Sequence, residues 1–369
     1  MRPLKKLDYN AGMRPLKFLP PLILFLILSV SSTTEQVALG VQKIELTSEF
    51  VYLPAMGNGL PSNGKFGLAY GYRWVENVQN QPLLLGVSHY HYWSSHLLDD
   101  PYPELPFIPF VWCANLSPNR NSSFQYALAH IPGNYEGLFY VGNEAEIAEQ
   151  CLKYIDWDVG ECDVDATQEH CLYNFPGQDP NIIMADLLFA VREAWPQAKI
   201  VFPHMYAPHF PYGSEGLWSL IRTLEMYELR YNETPPIYAV GLHYGDIPYE
   251  VQRALNWIEA NNKNWKIVIS EFGIKPQTEA SAQKLYNWLH WMNDHPDVLC
   301  FQYYTNTFPF WETDPTIHLF GAELFYWLED HSFELSLHGE TYVRFGNETR
   351  GQNQDSICLD GVTAEKWIP

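Results

Sequence analysis

Two glutamates in this 369-residue chain close strand-like runs, Glu144 in LFYVGNEAE and Glu271 in KIVISEFGI. Two carboxylates converging on one cleft are what cleavage of a glycosidic bond requires. One donates a proton to the leaving oxygen while the other attacks the anomeric carbon or activates a water. The attacking group must be ionised, whereas the donor needs a raised pKa in a less solvated pocket. A lone strand-end glutamate is more often solvated or salt-bridged, so the chemistry depends on the fold bringing the pair together. Aromatic rings could complete such a site, because the apolar faces of sugars pack on them. Phe, Trp and Tyr make up 15% of the chain, and most are expected in the core. Those at strand ends and in mouth loops are Tyr72, Trp93, Trp112, Tyr206 and Trp311.

The elements that must position these groups recur with a regular rhythm. β-type runs are expected at 66–74, 84–93, 107–112, 138–143, 199–203, 239–243, 266–270 and 299–304. Several are continuously apolar, as strands covered on both faces are. Helical periodicity fills gaps between them. Asp179-Pro180 offers an N-cap and a first-turn proline, followed by Ile183, Leu187, Val191 and Ala194 at three- and four-residue steps. Residues 217–231, 248–260 and 278–292 read the same way. Eight strands alternating with helices over residues 64–349 fit a single-domain α/β fold, the (β/α)8 TIM barrel, typically around 250 residues. An open doubly wound sheet would carry a Gly-rich phosphate turn after its first strand, and FGLAYGYRW does not make one. In a barrel, the C-terminal strand ends face the active site. Glu144 would then close strand four and Glu271 strand seven, facing each other across a sugar.

GNE at the end of strand four and SEFG at the end of strand seven resemble the signature of glycoside hydrolase clan A. More narrowly, FGLAYGYRW, FIPFVW, LFYVGNEAE, VGLHYGD, IVISEFG and CFQYY occur in the order seen in the family 128 β-1,3-glucanase-like hydrolases. The resemblance spans roughly residues 64–349. It implies a retaining hydrolase acting on a β-linked poly- or oligosaccharide, with β-glucan the first expectation. Glu144 would be the acid/base and Glu271 the nucleophile. Asn143 would hydrogen-bond the sugar 2-hydroxyl, and His243 and Tyr244 would lie beside the nucleophile. Two departures stand out. Ala145 replaces the proline usual after the acid, and strand eight ends in Tyr303 and Tyr304 where tryptophan is common. The tyrosines bear on the floor of the sugar subsite.

Histidines supply a rival reading. SHYHYW places His89 and His91 as H-x-H on strand two, while His204 ends strand five and His243 strand six. Alternate residues on a strand point the same way, so H-x-H can grip one metal. Barrel metallohydrolases complete such a set with an aspartate after strand eight, but the first here is Asp314, and H-x-H comes one strand late. A metal-dependent hydrolase would also leave both glutamates unused. Otherwise His89, His91 and His204 are sugar or nucleophile contacts or structural hydrogen-bond partners, and no metal or other cofactor is expected. A non-catalytic carbohydrate-binding barrel is the third possibility.

Composition narrows the class further. Hydrophobic residues make up 47% and the net charge is −21, which excludes a largely disordered chain and disfavours nucleic-acid binding. Arg14 and Lys17 precede the apolar run 18–28 and a small-residue exit at Val30-Ser31-Ser32. This is the order of a secretory signal peptide, so residues 1–32 are expected to be removed and the protein secreted. The rival is a retained anchor, although the run is short for a bilayer of roughly 30 Å. Cleavage would remove five cations and one anion, taking the charge from −21 to −25. A polar leader (33–63), the barrel (64–349) and a C-terminal tail (350–369) follow. The tail is expected as a surface strap that a disulfide could tie to the barrel. Six cysteines allow 15 full pairings, and a local bridge is expected among Cys151, Cys162 and Cys171. The acidic stretch 156–165 reads equally as a cleft wall or a solvated loop. Asn115, Asn121, Asn232 and Asn347 begin N-x-S/T sequons. A monomer with a carbohydrate ligand and no stable membrane association is expected.

Overall fold

Eight short strand positions build one parallel sheet in a computed structural model that describes residues 62–69, 85–92, 105–112, 118–119, 121–143, 180–206, 215–243, 245–304, 324–327 and 333–363. They are β1 (Phe66–Ala69), β2 (His89–His91), β3 in two pieces (β3a, Phe107–Ile108, and β3b, Phe110–Val111), β4 (Leu138–Val141), β5 (Lys199–Tyr206), β6 (Ile237–His243), β7 (Lys266–Phe272) and β8 (Val298–Tyr304). Their order is β3a-β2-β1-β8-β7-β6-β5-β4-β3b. Only Pro109 separates the two end pieces, and a proline has no N–H to give a ladder. One chain segment therefore pairs with β2 on one side and β4 on the other, and the sheet closes into a (β/α)8 barrel.

The helices are α1 (Ser122–His130), α2 (Pro180–Ala194), α3 (Glu215–Tyr231), α4 (Ile247–Ala260), α5 (Glu279–Asp294) and α6 (Leu337–Glu348). Their starts follow from cap chemistry. Asn121 accepts from Phe124 N at 2.9 Å at the start of α1, and Thr278 and Ser281 form a reciprocal capping box on α5. A small antiparallel pair, β9 (Phe325–Trp327) and β10 (Phe333–Leu335), lies in the chain between β8 and α6. No described helix is long and apolar enough to cross a membrane.

Strand alternation divides the buried apolar residues into two groups. Leu68, Tyr90, Phe139, Val240, Ile267, Ile269 and Phe301 face outward and pack with helix residues such as Leu187, Val251, Leu285 and Phe345. Ile108, Phe110, Leu138, Tyr140, Val201, Ala239, Val268 and Cys300 fill the barrel interior together with Cys358. Cys358 belongs to the tail. It is disulfide-bonded to Cys300 and lies in a short 3-10 helix, Ile357–Asp360. Val362 then makes a reciprocal backbone pair with Phe107, each bond 2.8 Å. The expected surface strap thus contributes buried side chains to the barrel floor.

Local boundaries depart from the sequence expectation in three places. Leu85 belongs to a helical turn and Gly86, with φ +69°, follows it, so β2 begins at His89 instead of Leu84. β5 runs through Pro203 to Tyr206, with register shifts against β6 that absorb the missing donor. β7 continues past Ser270 to Phe272. Among the sequons, Asn232 and Asn347 are exposed, whereas Asn121 is buried as a helix cap. The signal segment, nearly all of the leader, Asn115, the acidic stretch and Cys113, Cys151, Cys162 and Cys171 lie outside the described residues.

Candidate active site

The mouth of the barrel is built where two strands break their own alternation. In β7, Ile267 and Ile269 point outward and Val268 and Ser270 inward, so Glu271 would point outward in a regular strand. Register shifts on both sides of it, against β6 between Leu242 and His243 and against β8 between Ile269 and Phe272, mark an irregularity there. Phe272 takes the outward position, against Tyr303 at 5.1 Å between ring centroids. Glu271 is turned into the mouth, as a bulge re-aims a side chain. In β4, Leu138 and Tyr140 point inward, and the strand is followed by Gly142 at φ +75°. A side chain is disfavoured at that φ. The twist brings Asn143 inward as well, and Asn143 pairs with His204 of β5.

Asn143 and Glu271 meet. The orientation of an amide is assigned from its neighbours. With Nδ2 toward the carboxylate, Asn143 donates to Glu271 Oε1 at 3.2 Å, and its Oδ1 accepts from Trp112 Nε1 at 3.2 Å. The reverse orientation would set oxygen against oxygen and N–H against N–H. The backbone adds a further tie, Asn143 N to Trp112 O at 2.9 Å. On the other side of Glu271, His243 Nδ1 stands 3.7 Å from Oε2. Glu271 and Asn143 each retain 3% of their surface and His243 none. Such burial strengthens every charge interaction of the carboxylate.

Beneath this group lies a layer of polar side chains inside the barrel. Gln302 Nε2 is 2.9 Å from His89 Nε2. An amide N–H can only donate, so the His89 proton resides on Nδ1, 3.0 Å from Ser88 Oγ, which in turn donates to Phe66 O. Tyr140 OH shares the same Gln302 amide. Ser270 Oγ lies 2.6 Å from His204 Nδ1. Burial pushes His89 down to about 3. Burial, then neighbouring histidines, hold His91 and His204 well below the ordinary imidazole value. All three are neutral at pH 7. His89 and His204 act through hydrogen bonds, whereas His91 packs edge-on against Phe110 and Tyr140 with neither ring nitrogen hydrogen-bonded among the described residues. Two glycines make room for them. A Cβ on Gly67 would overlap the His89 ring, and one on Gly241 the His204 ring.

Of the sequence-derived site residues, the structure gathers Glu271, Asn143, His243 and Trp112 at one point. His89, His91 and His204 lie in the interior layer, and Tyr304 ends β8 opposite Ala69 of β1. Glu144, Tyr244 and Trp311 lie outside the described residues, as do Tyr72, Trp93 and the Tyr206 side chain. Among the described residues, His91, His204 and His243 do not bring three ligand atoms within 4.8 Å of one another. The group that does is His89 with Cys300 and Cys358, whose two sulfurs are bonded to each other. Sequence reasoning passed over Ser270, Gln302 and Tyr140. The available signal was a polar residue in an otherwise apolar strand, as in KIVISEF and VLCFQYY.

The sequence matches no family model and no curated protein sequence, but solved structures share its fold. A family 128 (subgroup II) glycoside hydrolase, an endo-β-1,3-glucanase from Pseudomonas viridiflava, is similar with a TM-score of 0.51 and 17% identity, covering 76% of this chain and 97% of that one. A family 128 (subgroup VI) exo-β-1,3-glucanase from Aureobasidium namibiae gives a TM-score of 0.50 and 15% identity, covering 79% and 98%. The chain has the barrel fold of the family 128 glycoside hydrolases.

Proposed function

We propose that this protein is a retaining glycoside hydrolase of β-linked glucan, with Glu144 as acid/base and Glu271 as nucleophile. The observation that carries the reading is the bond from Asn143 to Glu271. It ties the chain position immediately before Glu144 to the other carboxylate, although the two strands are not neighbours in the sheet. In the first step Glu144 protonates the glycosidic oxygen as Glu271 attacks the anomeric carbon, giving a glycosyl ester and the free leaving sugar. In the second, Glu144 takes a proton from water, which displaces Glu271 and restores the original anomeric configuration.

The remaining residues have roles consistent with this chemistry. An amide nitrogen carries two hydrogens. One of Asn143's goes to Glu271, leaving the second for a sugar 2-hydroxyl, a contact that strengthens in the transition state. His243 flanks the nucleophile, Trp112 and Tyr304 offer ring faces or edges to the sugar, and the interior histidines hold the mouth from below. The family resemblance implies a further sugar-site role for Tyr244, and its place in a loop after strand eight implies one for Trp311. Both similar structures are named as β-1,3-glucanases, one endo and one exo, so β-1,3-glucan is the substrate to test first. An exported monomer suits a polymeric substrate outside the cell.

The test is proton NMR of the anomeric signals released from β-1,3-gluco-oligosaccharides. Wild-type protein should release the β-anomer first. Glu144→Gln should slow release by about 10²–10⁴-fold, the scale of general-acid catalysis, and Glu271→Gln should abolish it. First release of the α-anomer, or full activity in E271Q, would overturn the reading.

A further inference from the structure

Asn143 is almost wholly buried, so bulk water does not hold its amide in place. Two groups do. Glu271 takes the Nδ2 hydrogen, and the Trp112 indole N–H takes the Oδ1 lone pair, both at 3.2 Å. Trp112 grips the same residue a second time, because its carbonyl accepts the Asn143 backbone N–H at 2.9 Å. Trp112 directly follows β3b, so strands three, four and seven are joined at their ends by one chain of donors and acceptors. An indole has a donor and no acceptor. Only a carbonyl oxygen can face it, which forces the N–H of the amide toward the carboxylate.

We infer that Trp112 is a positioning residue for the nucleophile: its indole N–H fixes the Asn143 amide so that Asn143 donates to Glu271. The physical argument compares the two states of Glu271. While Glu271 is ionised, the amide must keep its N–H toward it, and Oδ1 then needs a donor. Without the indole N–H, Oδ1 is left buried and unsatisfied, which is unfavourable. Once Glu271 is protonated, its own hydroxyl can donate to Oδ1 and the amide can turn over. Removing the indole N–H therefore disfavours the ionised, attacking form. Stacking a sugar on the Trp112 ring needs the ring's face and makes no use of this edge.

The inference rests on Glu271 as nucleophile for its catalytic meaning, but the bond itself can be tested without activity. Protein labelled with ¹³C at glutamate Cδ would be titrated by NMR, with the Glu271 signal identified by its loss in E271Q. Two variants remove the N–H. W112F does so directly, and 3-benzothienylalanine at position 112 replaces N–H by sulfur while keeping the ring shape, which protects the test if W112F does not fold. The expected result is a Glu271 carboxyl titrating about one pH unit higher than in wild type, a tenfold change in its ionisation equilibrium. N143A should move it in the same direction, and N143A combined with loss of the N–H no further. With an active enzyme, the acidic limb of kcat/KM should rise equally, with KM little changed. A Glu271 titration unmoved by both variants, with KM alone raised, would make Trp112 a stacking surface and overturn the inference. A shifted titration in a protein that hydrolyses no glucan would uphold the positioning role while refuting the proposed function.

Discussion

Asn143 and Glu271 are hydrogen-bonded at 3.2 Å across the barrel mouth, although β4 and β7 are separated in the sheet by β5 and β6. Neither residue reaches that meeting point by regular strand geometry. Asn143 is delivered by a left-handed glycine and Glu271 by an irregularity that shifts the phase of its strand. Both devices are local, so both can be removed one residue at a time.

Gly142→Ala places a Cβ on a residue at φ +75°, at a cost of about 1–2 kcal/mol. The chain can relieve that strain only by rotating the segment that carries Asn143 and the following Glu144. Activity on β-1,3-gluco-oligosaccharides should fall by at least tenfold while the melting temperature drops only a few degrees. Full activity in G142A would show that the left-handed turn does not set the site.

Much of this was legible in the chain, for identifiable reasons. Val/Ile/Phe/Tyr runs bounded by helical periodicity reveal strands covered on both faces, which leads to the barrel and to the ordinals of the strands that end near Asn143 and Glu271. The direction of the Glu271 side chain was not legible. Simple alternation from Val268 and Ser270 points it outward, and a bulge depends on pairing with neighbours far away in sequence. Ser270, Gln302 and Tyr140 were missed because single polar residues in apolar strands look alike whether they line a barrel or face a helix. The Cys300–Cys358 bridge was one of many possible pairings until the fold brought the tail beneath β8.

Gly67→Ala and Gly241→Ala test the interior layer. Each adds a methyl that overlaps a buried imidazole, His89 or His204 respectively. Overpacking of this kind costs about 1–3 kcal/mol. Urea unfolding should show that loss in either variant, and a wild-type midpoint in both would mean the rings are free to move.

The buried neutral histidines make the protein acid-labile in a defined window. His89 is held at about 3, against an unfolded value near 6.5. The unfolded chain therefore binds more protons, and stability rises with pH across this interval. The contribution is complete above pH 6.5 and is lost as pH falls toward 3. At pH 5 this amounts to about 2 kcal/mol for His89, with losses of the same sign from His91, His204 and His338, a buried histidine in the first turn of α6 that burial likewise holds low. Urea midpoints at pH 7.5 and pH 5 should differ accordingly, and His89→Gln should narrow the gap. Equal stability at the two pH values would contradict the burial of these rings as neutral groups.

The bond between Cys300 and Cys358, 58 residues apart, closes the barrel floor. Chain-entropy reasoning gives a loop of this size about 4 kcal/mol. C300A/C358A, which leaves neither thiol of this pair, should unfold at markedly lower urea while keeping its specific activity at 25 °C, because the floor lies at the opposite end from the mouth. A variant as stable as wild type would mean that packing of the tail alone secures the floor.

The central claim is that Glu271 forms a covalent bond to the sugar. A β-1,3-gluco-oligosaccharide with fluorine at C2 and a good leaving group at C1 should glycosylate a retaining nucleophile, expelling the leaving group, and the glycosyl ester should hydrolyse slowly, because the fluorine destabilises oxocarbenium-like transition states. Mass spectrometry of the digested adduct should place one glycosyl group on the peptide containing Glu271, with none in E271Q. An adduct on any other residue, or rapid turnover with no adduct at all, would contradict the account.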